Sequence, residues 1–338
     1  MNVKELHIQT PFELESGESL PEIRITYHTY GQLNAKKDNV IWVCHALTAS
    51  SGIHDWWKGL YGKGKVFDPD KYFIISANNL GSPYGTISPK FRHPRTGERY
   101  GLSFPKFTLR DTALMHLELK KALGINDIHL LIGGSCGGNI CLEMSMLLGK
   151  QIKNLTLLCC SAKEKPWTIA IHESQRIALH GDSDFFENKN GAGKIGLKSA
   201  RAFALPFYRT AASMNIRQEE KDLNKKDSFR ASSYIKYQGE KFVNRFDAHC
   251  YYKLLNALDT HNVGRGYNSV EEALQLIQAK TLVIGIDSDI FIPIEEQKYL
   301  AENILNAKYV EVKSIFGHDA FLIEFEQIGG FISNEFSL

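Results

Sequence analysis

The sequence lacks most of the features that reveal a function through composition alone. Charge of one sign is scarce: 40 Lys and Arg against 38 Asp and Glu leave a formal net charge of +2 over 338 residues. Nucleic-acid binding by bulk electrostatics is therefore not expected, and only a local basic pocket for one anionic ligand remains open. Cysteine is sparse, with Cys44, Cys136, Cys141, Cys159, Cys160 and Cys250 forming neither a CxxC pair nor a metal-ligand spacing. No metal site is expected, and thiols set in apolar runs predict reduced, buried cysteines in a cytoplasmic protein. No run approaches the ~18 apolar residues of a membrane span. The first seven residues mix charge with single apolar residues, so no signal peptide is expected. What is present, 43% apolar and 23% charged residues, fits a soluble globular chain. Its length allows one large α/β domain or a domain with a sizeable insertion.

Short apolar runs punctuate the chain at 40–44, 72–76, 128–132, 155–160 and 281–286. Runs that are apolar throughout predict strands covered on both faces, hence a parallel sheet. Helical spacing at 112–123 and 139–148 supplies the alternation of a doubly wound α/β domain. Between 163 and 273 that rhythm stops. A Gly/Asn loop, a helical stretch at 197–214 and a charged stretch at 217–230 replace it. A structureless loop of that length is implausible in a compact domain. The expected organisation is a core of residues 1–162 and 274–338 with a mainly helical lid, 163–273, inserted into it. The charged stretch reads as a solvated face.

The run at 128–132 leads into Gly133-Gly134-Ser135-Cys136-Gly137-Gly138 and then a helical pattern. Strand, sharp G-x-S-x-G turn and helix are the context of the nucleophile elbow of the α/β-hydrolase fold. Small residues are needed around the nucleophile because strand and helix approach closely and its own backbone is strained. The helix N-terminus then aims N–H groups at a developing oxyanion. The turn admits two frames, since Gly134 to Gly138 also reads G-x-C-x-G. A Cys136 thiol at a helix N-terminus, with its pKa lowered there, is a reasonable nucleophile too.

This fold orders its triad as nucleophile, acid, histidine. The run at 281–286 ends in Asp287-Ser288-Asp289, so two aspartates compete for the acid. His318, in Phe316-Gly317-His318-Asp319, is the only histidine after His261 and is the expected base. The loop after the third strand, His45 to Gly52, should bring the backbone N–H of Leu47 to an oxyanion hole shared with that of Cys136. His45 fits a loop-shaping role.

Taken together these segments resemble the homoserine O-acetyltransferase family over most of the chain. The resemblance rests on Cys44-His45-Ala46-Leu47-Thr48, Trp56-Trp57, Asn78-Asn79-Leu80-Gly81 and Tyr208-Arg209-Thr210. It continues through Tyr234 to Ala248, Leu258 to Gly266, and Gly317-His318-Asp319-Ala320-Phe321-Leu322. It implies Ser135 as nucleophile and Asp289 as acid. It further implies that Arg209 binds the amino-acid carboxylate and Asp319 its ammonium. Acetyl-CoA would be the co-substrate with no bound cofactor, and the chain would pair as a homodimer through the lid. The expected reaction, a step of methionine biosynthesis, passes an acyl group through Ser135 from acetyl-CoA to L-homoserine. The rival readings are succinyl-CoA as donor, serine as acceptor, a carboxylic ester hydrolase using the same triad, and a non-catalytic binding protein on this fold. The sequence departs from the family pattern at Cys136, at Asn139-Ile140, in Ala162-Lys163-Glu164-Lys165-Pro166-Trp167 and at His172-Glu173-Ser174-Gln175-Arg176. All four departures lie near the expected site and bear on which donor and acceptor it takes.

Overall fold

A computed structural model describes residues 2–338. Its centre is an eight-stranded sheet. Six strands run parallel: β5 (Val40–Cys44), β6 (Phe73–Ala77), β7 (Ile128–Gly134), β8 (Ile152–Leu158), β9 (Lys280–Ile286) and β10 (Ala307–Val312). Two more, β1 (Asn2–Ile8) and β4 (Ile23–Tyr30), add an antiparallel edge, giving the order β1-β4-β6-β5-β7-β8-β9-β10. A two-residue pair, β2 (Phe12–Glu13) and β3 (Ser19–Leu20), stands apart. The five apolar runs of the sequence correspond to β5 to β9, which are largely buried on both faces, whereas the edge strand β10 is mostly half-buried. The antiparallel edge escapes that criterion, because β4 alternates buried with half-buried residues.

Alternation along β5 divides the core. Val40, Trp42 and Cys44 face a cluster with helices α2 (Leu109–Ala122) and α3 (Cys136–Leu148), whereas Ile41 and Val43 face a second cluster. That second cluster includes Ile53 of the short helix α1 (Ile53–Trp56) and Ile328 and Ile332 of α11 (Phe325–Phe336). Both faces of the sheet are thus covered, as the doubly wound arrangement requires.

Between β8 and β9 the chain is helical: α4 (Pro166–His180), α5 (Lys194–Ala204), α6 (Ala211–Gln218), α7 (Arg230–Val243), α8 (Ala248–Asp259) and α9 (Val270–Leu274). A last helix, α10 (Ile294–Asn303), joins β9 to β10. The helical stretch expected at 197–214 is broken. α5 ends at Ala204, Leu205–Tyr208 tightens into a 3-10 turn, and Arg209 is extended before α6. Pro206 lacks the N–H that a continuing helix needs. The Thr210 side chain restarts the helix by accepting from the Ser213 N–H. Among the described residues no helix is long and apolar enough to cross a membrane.

At the β7–α3 turn the backbones of helix and sheet approach too closely for a side chain. A Cβ added to Gly137 would stand 2.1 Å from the Cys44 carbonyl oxygen, which is backbone and cannot move aside cheaply. Gly137→Ala should therefore cost about 2–3 kcal/mol. Gly330→Ala, on an open face of α11 with no atom within 4 Å of the new Cβ, should gain about 0.5–1 kcal/mol. Urea unfolding midpoints check the contrast, and equal midpoints for the two variants would contradict the packing described.

Candidate active site

Ser135 connects β7 to α3 with φ 55° and ψ −128°, a strained conformation for a residue with a side chain. Its N–H donates to the Leu158 carbonyl at 2.9 Å, which ties the turn to β8. From there its Oγ lies 2.9 Å from His318 Nε2. His318 Nδ1 lies 2.6 Å from Asp289 Oδ2, while Asp289 Oδ1 accepts the N–H groups of Phe291 and Ile292 at 2.8 and 3.0 Å. Of the two competing aspartates, Asp287 faces elsewhere. Its Oδ1 accepts the Ser314 N–H at 3.0 Å and it sits 3.7 Å from Lys313.

The loop carrying His318 reaches the site through Gly317. Its φ of +64° suits glycine, and its Cα faces the Arg209 backbone closely enough that a Cβ would lie 3.1 Å from the Arg209 carbonyl carbon. Trp57 Nε1 donates to the Phe321 carbonyl at 3.0 Å and pins the far end of that segment. Phe291 and Phe321 pack edge-on to the His318 ring at 5.0 and 5.5 Å.

Burial alone would push the His318 pKa down. The charge and hydrogen bond of Asp289, helped by Asp319 and Glu164, outweigh it and leave the ring above its usual value. Cys136 shows the opposite balance. The helix N-terminus was expected to lower its thiol pKa, but the side chain is buried and burial pushes the thiol far up. Of the two candidate nucleophiles, the one within reach of the imidazole is Ser135.

The N–H groups of Leu47 and Cys136 have no acceptor among the hydrogen bonds of the described residues, and both residues line the same cavity as Ser135 and His318. The loop bearing Leu47 is shaped by His45, whose Nδ1 bonds the Ala46 carbonyl at 2.8 Å while its Nε2 accepts the Asn79 N–H at 3.0 Å. Burial keeps that ring neutral, with its pKa pushed down to about 4. From the other side, Arg245 donates to the Thr48 carbonyl at 2.6 Å.

The cavity holds about 90 Å³, room for a small polar molecule rather than a single water. Asp319 lines it, but Asp319 Oδ2 also pairs with Arg209 Nη2 at 3.2 Å, and Arg209 stands behind the lining. The guanidinium on the cavity wall is Arg201 of α5, which lies over the rings of Tyr208 and Phe242. Nothing in the residue pattern singles out Arg201. It sits among other cations, Lys194 and Lys198, on a helical pattern, and which of them faces the site depends on how α5 packs. Glu164 and His172 line the cavity as well.

A profile for the α/β-hydrolase fold matches residues 39–325. A homoserine O-acetyltransferase of Cyclobacterium marinum is 45% identical over 322 residues, covering 95% of this chain and 92% of its own. A homoserine O-acetyltransferase structure from Bacillus anthracis superposes with a TM-score of 0.91 at 24% identity, covering 100% of this chain and 98% of that one. The structure of esterase E22 superposes with a TM-score of 0.90 at 21% identity, covering 99% and 100%. At those identities the two superpositions establish the shared fold alone.

A raised His318 pKa has a direct kinetic reading. The ring accepts the Ser135 proton only when neutral, so acylation of Ser135 by nitrophenyl acetate should rise with pH along a limb centred above 6.5. Asp289→Asn removes the charge that holds the pKa up. The limb should then move below 6.5 and the rate fall roughly 10³- to 10⁴-fold. A native limb at or below 6.5 would contradict the electrostatics described here.

Proposed function

The chain belongs to the homoserine O-acetyltransferase family within the α/β-hydrolase fold, and from that membership we propose that it moves an acetyl group from acetyl-CoA to the hydroxyl of L-homoserine, by way of an ester on Ser135. The observation that carries the chemistry is the unbroken chain from Ser135 Oγ to His318 to Asp289, with bonds of 2.9 and 2.6 Å. Ser135 Oγ attacks the thioester carbonyl as His318 Nε2 takes its proton. Asp289 holds the imidazole and stabilises its cation. The oxyanion is met by the N–H groups of Leu47 and Cys136, and each such donor contributes about 3–4 kcal/mol. Collapse expels the CoA thiolate, which takes the proton from His318. The homoserine hydroxyl then gives its proton to His318 and attacks the acetyl carbon. The O-acetyl product leaves as the proton returns to Ser135. Every group in these steps is supplied by the chain or the two substrates.

In this reading the carboxylate of homoserine meets the guanidinium on the cavity wall, Arg201, whose fork suits a carboxylate. Arg209 is assigned the support of Asp319 rather than direct contact. We assign the helices of residues 163–273 the role of a lid that keeps water from the acyl-enzyme. Ile177, Ile195, Ile216 and Tyr237 are exposed on those helices and offer apolar surface for a second copy. The buried free cysteines suit a reducing compartment, which supports a cytoplasmic reaction of amino-acid biosynthesis.

Release of free CoA from acetyl-CoA tests the proposal. It should depend on L-homoserine, yield one O-acetylhomoserine per CoA, and fall at least about 10³-fold in Ser135→Ala. CoA release that ignores homoserine and yields acetate would make the chain a hydrolase. Faster turnover with succinyl-CoA, or with serine as acceptor, would replace the substrates but keep the triad.

A further inference from the structure

Three donor groups from distant parts of the chain meet behind the base. Cys159 follows β8, Asp289 follows β9, and His318 stands in the last loop. The Cys159 sulfur, an Asp289 carboxylate oxygen and a His318 ring nitrogen all lie within 4.8 Å of one another, and all three residues are buried. The ring nitrogen turned toward the other two is Nδ1, 2.6 Å from Asp289 Oδ2, because Nε2 faces Ser135 Oγ at 2.9 Å. No ligand spacing in the sequence reveals this set, since the parallel pairing of β8 with β9 assembles it.

The same strand end fixes the thiol and the carboxylate. Cys159 adopts φ 48°, in the left-handed region, and its N–H donates to the Ile284 carbonyl of β9 at 3.1 Å. The Asp289 N–H donates to the Ile286 carbonyl of that strand, also at 3.1 Å. His318 is held between Phe291 and Phe321. Donors held by backbone and packing are arranged before a ligand arrives. Asp289 also lines a second cavity, of about 470 Å³, together with Ser161 and Glu296. A cation arriving by that route does not cross the substrate cavity.

Sulfur, imidazole nitrogen and carboxylate oxygen form the donor set of Zn²⁺ or Cd²⁺, whereas Mg²⁺ and Ca²⁺ take oxygen. A thiolate and an imidazole on a tetrahedral Zn²⁺ stand about 3.5 Å apart, inside the 4.8 Å spread of the three donors. Water supplies the fourth ligand.

We propose that Cys159, Asp289 and His318 Nδ1 form a Zn²⁺ site that switches the triad off reversibly. On binding, the Cys159 thiol loses its proton to solvent as the Zn–S bond forms. The Nδ1 lone pair goes to the metal, and the proton of the neutral ring moves to Nε2. Nε2 then donates to Ser135 Oγ instead of taking its proton, so the nucleophile is not activated. The metal sits behind the ring and leaves the substrate cavity free, so the loss falls on kcat and not on KM. Metal binding is independent of the acyl-transfer reading, on which only its effect on rate rests.

The test keeps the cysteines reduced with a phosphine and follows acylation of Ser135 by nitrophenyl acetate, each protein being compared with its own metal-free rate. Zn²⁺ should lower the maximal rate at constant KM, a chelator should restore it, and Mg²⁺ at the same concentration should do nothing. Two variants, Cys159→Ala and the closer mimic Cys159→Ser, should each need at least about 10-fold more Zn²⁺ for half inhibition. Cd²⁺ gives a readout apart from activity. Its thiolate charge-transfer absorption should report one equivalent in the native protein that both variants lose. Half inhibition at the native Zn²⁺ concentration in the variants, inhibition relieved by excess ester or not reversed by the chelator, or an absent Cd²⁺–thiolate band in the native protein would overturn the proposal. A band that depends on Cys159 in a protein that forms no acyl-Ser135 would uphold the metal site and remove the acyl-transfer reading alone.

Discussion

The strained backbone of Ser135 is the constraint on which the rest of the site depends. A residue at φ 55° between strand and helix lifts its Oγ clear of both elements. The turn exists only because α3 presses against β5 and β7, and that approach needs glycine. A Cβ at Gly133 would stand 2.3 Å from the Gly137 carbonyl oxygen, and one at Gly137 would strike Cys44. The same approach points the first N–H of α3 into the cavity and brings His45 and Leu47 alongside. One packing decision thereby sets both Ser135 and the first N–H of α3, which the proposed mechanism uses as nucleophile and oxyanion donor.

Electrostatics then separates groups that composition treats alike. Two neighbouring side chains of the turn, Ser135 and Cys136, differ in that one meets an imidazole and the other is sealed in the core. Of the two aspartates after β9, one holds His318 and the other caps the loop at Ser314. The carboxylates near His318 fall into three classes. Asp289 is hydrogen-bonded to the ring, Asp319 pairs with Arg209, and Glu164 has its pKa raised by burial, with His172 and the Thr168 hydroxyl opposing that rise.

Much of this was legible from the sequence. Five of the six parallel strands appear as mostly apolar runs, because their centres are buried on both faces; β10, at the sheet edge, is only half-buried and keeps Lys308 and Glu311. The elbow and His318 were legible because sterics and chain order demand particular residues in particular places. The antiparallel edge was not, since half-buried β4 carries polar residues that blur the pattern. Nor was the break in the helical stretch at Pro206, where one proline and the Thr210 cap override a continuous helical periodicity. The packing of α5, equally hidden, places Arg201 on the cavity wall while Arg209 pairs with Asp319. The Cys136 frame stays open in the sequence for a related reason: the helix field that would lower its thiol pKa is visible there, whereas the depth of burial that outweighs it is a tertiary property.

The central claim is that Ser135 carries the acyl group between two substrates. Intact mass measurement after brief exposure to acetyl-CoA, followed by peptide mapping and then by addition of L-homoserine, tests it most directly. The account predicts a single acetyl group on Ser135 that homoserine removes faster than water does. An acetyl group on Cys136, or one on Ser135 that water removes as fast in the absence of homoserine as in its presence, would contradict it.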